Sequence, residues 1–197
     1  MVGAGDRQRT EALVAAATAG ADCLVSFGSA GALSPELRPG DLILSAEIVS
    51  AHGSWHGEPA WCRRLAALAG SLGAASGPVL GAGAVLATRS DKMRARARFG
   101  ALAADLESDI VARAAAGAGV PFAALRAIAD PVERDLPPAA LVPLAADGRP
   151  DLAGVFASVL GRPRQIAALF GLRQELRRAL RALERAAPLL HSLPFGG

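Results

Sequence analysis

Two carboxylates in this chain stand where a short apolar run ends: Glu107 closes Leu102-Ala-Ala-Asp-Leu-Glu107, and Asp130 closes Pro121-Phe-Ala-Ala-Leu-Arg-Ala-Ile-Ala-Asp130. Runs of this kind suit buried strands, and open α/β sheets bind their ligands at the edge where strands run out. Two acids at one such edge suggest a site for acid-assisted chemistry. Taken singly, each has a plainer reading, Glu107 as a helix cap and Asp130 as the start of a turn before Pro131.

The segment between the acids has to position them. Ser108 to Ala118 is a run of helix formers, Gly117-Ala-Gly119 is a helix stop, and Pro121 opens the next strand. A right-handed crossover in such a strand-helix-strand unit would set the two strands parallel, with their acidic ends side by side. Glu107 would then sit at the start of the helix, where backbone amides favour negative charge.

Around this unit, Arg7 to Ala19 has helical composition, and Gly20-Ala-Asp22 leads into a short buried strand at Cys23-Leu-Val-Ser-Phe27. Asp41 to Val49 is expected to be a strand, Trp61 to Leu72 a helix, and Pro78 to Thr88 a further strand. After Asp130 the texture turns Pro-rich and ends in an Arg-rich amphipathic helix from 164 to 187. The alternation predicts a three-layer α/β sandwich with a mixed, mostly parallel central sheet flanked by helices, as one domain over residues 1–197. Phe27-Gly-Ser-Ala-Gly31 places small residues just after a strand, so backbone amides and Ser29 Oγ can approach an anion or a sugar closely. The plainer reading is a turn that uses glycine for positive φ.

With 197 residues and 52% apolar composition the chain can bury a full core. Its apolar runs are too short to span a bilayer, and the N-terminus lacks the order of a signal peptide, which favours the cytoplasm. The net charge is +3 with a pI near 9.6. Its basic residues are nearly all arginine, with Lys92 the sole lysine, and they lie among acids without stacking aromatics, which argues against nucleic-acid binding. Cys23 and Cys62 imply neither a metal pair nor a disulfide framework. His52, Trp55, His56 and Glu58 fall between Gly53 and Gly57 and lack zincin order, so this segment is expected to be a loop beside substrate, or beside a neighbouring subunit's, with no metal. Gly3-Ala-Gly5 is not a dinucleotide fingerprint, because Gln8 takes the third glycine position.

Phe27-Gly-Ser-Ala-Gly-Ala-Leu33, Pro39-Gly-Asp-Leu-Ile-Leu44, Asp105-Leu-Glu107 and Arg126-Ala-Ile-Ala-Asp130 occur in the order of, and resemble, the nucleoside phosphorylase and methylthioadenosine/S-adenosylhomocysteine nucleosidase superfamily. The tail around Gly148-Arg-Pro-Asp151 and Arg162-Pro-Arg-Gln-Ile166 looks most like the hopanoid-associated phosphorylase branch. The resemblance implies cleavage of the N-glycosidic bond of a purine nucleoside, with release of adenine from an adenosyl-hopane and inorganic phosphate as co-substrate but no bound cofactor. It implies Asp130 as general acid toward the base and Glu107 as the ribose-side carboxylate. It also implies Ser29, Ala30, Gly31, Asp105, Leu106 and Thr88 as substrate contacts, and a homo-oligomer. Ala129 departs from the serine often found before that aspartate.

Ser26 stands where one branch places a phosphate-binding arginine, which keeps a hydrolytic nucleosidase open as an alternative. The Gly3-Ala-Gly5 turn matches one that follows several strands in relatives, so the first strands of the sheet are expected to be missing, and an inactive remnant or interaction subunit is the third reading. The C-terminal helix carries Ile166, Leu169, Phe170, Leu172, Leu176, Leu180 and Leu183 as its apolar stripe, with arginines opposed or flanking. That stripe is expected to pack on the domain, with peripheral membrane contact as the sharper alternative.

Overall fold

The structure is a computed structural model that describes residues 7–141 and 165–190. In chain order the elements are α1 (Arg7–Thr18), β1 (Leu24–Ala32), β2 (Leu42–Ser45), β3 (Glu47–Ser50), β4 (Gly53–His56), α2 (Pro59–Leu72), β5 (Val79–Gly81), α3 (Arg89–Phe99), β6 (Ala103–Asp105), α4 (Ser108–Ala118) and β7 (Phe122–Asp130). A 3-10 turn at Pro138–Leu141 and α5 (Gln165–Leu190) follow. The seven strands form one mixed, mostly parallel sheet in the order β2-β7-β1-β6-β5-β3-β4, with helices packed against it. The N-terminal Gly3-Ala-Gly5 turn and the Gly148 to Arg164 motifs lie outside the described residues.

The sheet's spine is the parallel pairing of β1 with β7, from Leu24 opposite Phe122 to Gly31 opposite Asp130. β7 is buried along nearly its whole length, as a central strand is, and its Ala124, Leu125, Ala127 and Ile128 are fully buried. The strand starting at Cys23 therefore does not stop at Phe27. It continues through Gly28-Ser-Ala-Gly31, because β7 supplies hydrogen-bonding partners along that whole length. Neither Gly28 nor Gly31 has positive φ, so these glycines serve close approach rather than a turn.

Two further expectations are corrected. Asp41 to Val49 is not one strand: β2 pairs antiparallel with β7, whereas β3 joins β5 and β4 at the other end of the sheet. The break falls at Ala46, where the Ser45 hydroxyl accepts from the Glu47 amide. The strand expected over Pro78 to Thr88 is only β5, and the rest is a loop.

The acids also come together by a different route from the expected one. β6 and β7 are not neighbours, because β1 lies between them, and β6 runs antiparallel to β1. β6 pairs only with the end of β1, Gly31 opposite Ala104 and Ala32 opposite Ala103. Gly31 is thus flanked by Asp130 on one side and by Ala104, next to Asp105, on the other. A shift of register between Ala30 and Gly31 accompanies this change of partner direction.

α5 begins and ends close to where its composition places it, but its packing stripe differs. Ala179, Ala182, Leu183 and Ala186 are buried, while Ile166, Phe170, Leu176 and Leu180 are exposed. The small stripe packs against the sheet at Ala127 and Ala129 because alanines on both sides let helix and strand approach closely. No described helix is long and apolar enough to cross a membrane.

Candidate active site

The end of β1 forms one wall of a cavity of about 250 Å³ through Ser29, Ala30 and Gly31. Asp105, Leu106 and Glu107 line it from the β6 side, and Ala129 and Asp130 from the β7 side. Asp130 is the last residue of β7, whereas Glu107 lies two residues past β6 as the N-cap of α4, and the small residues of β1 line the space between them. A Cβ built on Gly31 would lie 3.3 Å from Asp130 Oδ2, so a larger residue would press on the carboxyl.

Asp105 works as framework. Its Oδ1 accepts from the backbone amides of Glu107 at 2.8 Å and Ser108 at 2.7 Å, which turns the chain into α4. Its Oδ2 accepts from Ser108 Oγ at 2.5 Å and pairs with Arg126 Nε at 2.9 Å. Its side chain is 1% exposed, and the residue is part of the cavity wall. Burial beside a cation and two amides commits both carboxylate oxygens of this cavity-lining residue.

Arg126 is the residue sequence reasoning missed, although a charge inside an apolar strand run was the signal, since a buried arginine demands a partner. It is 3% exposed, donates to the hydroxyls of Ser26 and Ser108, and lies 3.9 Å from Glu107 Oε2. Glycine at 28 makes room for it, because a Cβ there would stand 2.6 Å from Arg126 Nη1. The Ser26 hydroxyl is thereby met by a guanidinium from the neighbouring strand. A second cavity of about 450 Å³ opens on this side, lined by Ser26, Gly28 and Arg126 of the sheet and by Leu13 and Val14 of α1. Ser29 and Glu107 border both cavities.

Burial pushes the Glu107 carboxyl above the usual glutamate value, and the Arg126 charge offsets part of that rise. Burial likewise lifts Asp130, against the hydrogen bond and charge of Lys92. Lys92 Nζ reaches Asp130 Oδ2 at 2.6 Å, so in place of a preceding serine it is a lysine from α3 that holds this carboxyl.

Thr88 is not brought to the cavity. It caps α3, its Oγ1 accepting from the Asp91 amide at 3.1 Å and donating to Asp91 Oδ2 at 2.7 Å, while Val85 and Leu86 of the same loop do line the cavity. The His52 to Trp61 segment is a hairpin leading into α2, since β4 folds back on β3. Ser54, Trp55, His56 and Glu58 line a separate cavity that shares no residue with the one between the acids.

This fold recurs in solved structures of nucleosidases. The chain is 19% identical to methylthioadenosine/S-adenosylhomocysteine nucleosidase from Neisseria meningitidis, solved with methylthio-immucillin-A, at a TM-score of 0.58 over 67% of each chain. It is 17% identical to S-adenosylhomocysteine nucleosidase from Streptococcus pyogenes, at 0.60 over 91% of this chain and 73% of that one. It is 16% identical to a futalosine hydrolase mutant from Helicobacter pylori, at 0.55 over 63% and 66%. The chain thus spans about two thirds of the length of the first of these. No curated protein matches the sequence. Residues 2–160 match the family described as Phosphorylase superfamily, and the chain belongs to that family.

Proposed function

We propose that the protein cleaves the N-glycosidic bond of a purine nucleoside, with Asp130 as the acid toward the leaving base and Glu107 as the carboxylate on the ribose side. One observation carries this reading: two acids, both lifted by burial, border one cavity against the small-residue end of β1. In the reaction the C1′–N9 bond breaks and its electron pair moves into the purine. Asp130 passes its proton to the base at N7, and a nucleophile bonds to C1′ from the far face. The negative charge of Glu107 faces the positive charge that develops on the sugar. Membership of the Phosphorylase superfamily supports this class of reaction.

The finer reading is phosphorolysis, with adenosyl-hopane as substrate and inorganic phosphate as nucleophile. Hydrolysis is the second reading, and one observation favours it: Asp105 already balances the Arg126 charge at 2.9 Å, with Glu107 adjacent. A phosphate dianion arriving there would meet two carboxylates and one committed cation, whereas water would meet no such repulsion. Peripheral membrane contact belongs to the hopane reading, since exposed Ile166, Phe170 and Leu180 on α5 lie among exposed Arg173, Arg177 and Arg181.

Adenine release from adenosine by the purified protein, with and without inorganic phosphate, tests the reaction. Phosphate-dependent release supports phosphorolysis and phosphate-independent release supports hydrolysis. No release under either condition, or unchanged release by Asp130→Asn, refutes the reading.

A further inference from the structure

Lys92 is the sole lysine of the chain and one of its most deeply buried side chains, 1% exposed. Lysine is almost never buried unless paired, and this one lies near the N-terminal end of α3, where the helix dipole disfavours a cation. Helix energetics therefore do not explain its place. Its surroundings do: Nζ meets the Pro131 carbonyl at 2.8 Å, the Arg134 carbonyl at 2.9 Å and Asp130 Oδ2 at 2.6 Å. Three acceptors suit the three donors of an ammonium group, and a neutral amine would leave one acceptor unmet.

The ammonium thus ties the chain beyond Asp130 to α3 and holds one oxygen of the carboxyl. Among the described residues the other oxygen, Oδ1, is buried and has no hydrogen-bond partner. The remaining charges that act on Asp130 are Arg134, just beyond it in the chain, and Glu175 of α5, which pair with each other at 2.9 Å. Arg134 acts on Asp130 in the same direction as Lys92 but is paired with Glu175, whereas Lys92 bonds the carboxyl directly and is the larger influence.

We propose that Lys92 is a positioning residue of the reaction: it fixes the carboxyl plane of Asp130 and stabilises the carboxylate that remains after the proton has passed to the leaving base. The proposal rests on Asp130 being the acid, and it assigns a role to a residue of α3 that lies 38 positions earlier in the chain. Lys92 does not donate to the base. It makes a buried acid strong enough to let its proton go, against a burial that would otherwise hold it.

The test compares Lys92→Met with the wild type on adenosine and on p-nitrophenyl riboside, whose leaving group departs without protonation. The expected result is a fall in kcat on adenosine at least about tenfold larger than on the activated riboside, with the alkaline limb of kcat/KM on adenosine moved to higher pH. Equal losses on both substrates with an unmoved limb would show a structural anchor and overturn the proposal. Asp130→Asn is run beside it: if that variant keeps its rate on adenosine, the acid assignment fails, which is a separate result from failure at Lys92. The wild type gives a second readout that needs no folded variant. Lysine labelled with ¹⁵N yields a single side-chain signal, and its Nζ shift should titrate with the same midpoint as the alkaline limb. An Nζ shift blind to that titration would also overturn the proposal.

Discussion

Asp105→Asn keeps the shape of a buried side chain and removes its charge. The amide carbonyl can still accept from the Glu107 and Ser108 backbone amides, as Oδ1 does now. The amide nitrogen must then replace Oδ2, which sets a donor against Arg126 Nε 2.9 Å away and against Ser108 Oγ 2.5 Å away. The serine hydroxyl can rotate to accept, but a guanidinium has no acceptor to offer. Removing one partner of a buried ion pair costs about 3–5 kcal/mol. Arg126 keeps two serine hydroxyls and Glu107 at 3.9 Å, so the cost should fall near the lower end, about 3 kcal/mol. With a urea slope of about 2 kcal/mol/M, the midpoint should drop by about 1.5 M. Urea unfolding followed by the fluorescence of Trp55 and Trp61 measures it. In an Arg126→Met background the same substitution should cost little, because the donor it offends is gone. A midpoint shift below about 0.5 M, or an equal cost in both backgrounds, would refute the account of Asp105 as the partner that fixes Arg126.

Glu107→Gln should separate stability from activity. Burial raises the folded-state pKa of Glu107, so its contribution to stability is full below the unfolded glutamate value of about 4.3 and is lost as pH rises through the raised value. The uncharged variant should therefore melt above the wild type at neutral pH and converge with it in acid, measured by thermal melts across pH, while nucleoside cleavage is lost; a gap that widens toward acid would contradict this. Gly81→Ala would put a Cβ 2.4 Å from Asp109 Cβ and 2.8 Å from the Asp109 amide nitrogen. Backbone at the start of α4 cannot yield as a side chain can, so calorimetry should show a loss of about 1–3 kcal/mol, with activity reduced because Glu107 precedes that helix. Thr88→Ala removes a capping box and should cost about 1 kcal/mol in denaturant titrations. Its KM for adenosine should stay at the wild-type value, and a tenfold rise would restore Thr88 as a base contact.

Much of the architecture was legible in local pattern. The strand ending at Asp130, a short strand just before Glu107, the helix between them with Gly119 at its stop, and a helix from Arg7 follow from side-chain periodicity and glycine chemistry, which act within a few residues. The two acids were candidates because a carboxylate after an apolar run is visible without any partner. What the chain does not display is who stands beside whom. Gly28 reads as a turn residue until Arg126 of β7 is seen to lie over it, and nothing local shows that both Asp105 oxygens are committed to Arg126, Ser108 and two backbone amides. Nor does Ser26 show that a guanidinium from a strand a hundred residues away donates to its hydroxyl.

The same division holds for the helix at the end of the chain and for the acids themselves. Amphipathic spacing marks Leu176 and Leu180 as buried, yet the sheet's own alanines select the alanine stripe of α5, since helix and sheet come closest where both surfaces are small. Sequence alone determined that this protein has an α/β fold with acids at or just past strand ends, because those properties are written in the residues and their neighbours. Only the tertiary structure decided that β1 intervenes between the acids and that β6 meets it antiparallel. It alone placed the buried lysine of α3 on Asp130, because strand pairing and the solvation of buried charge depend on groups far apart in the chain.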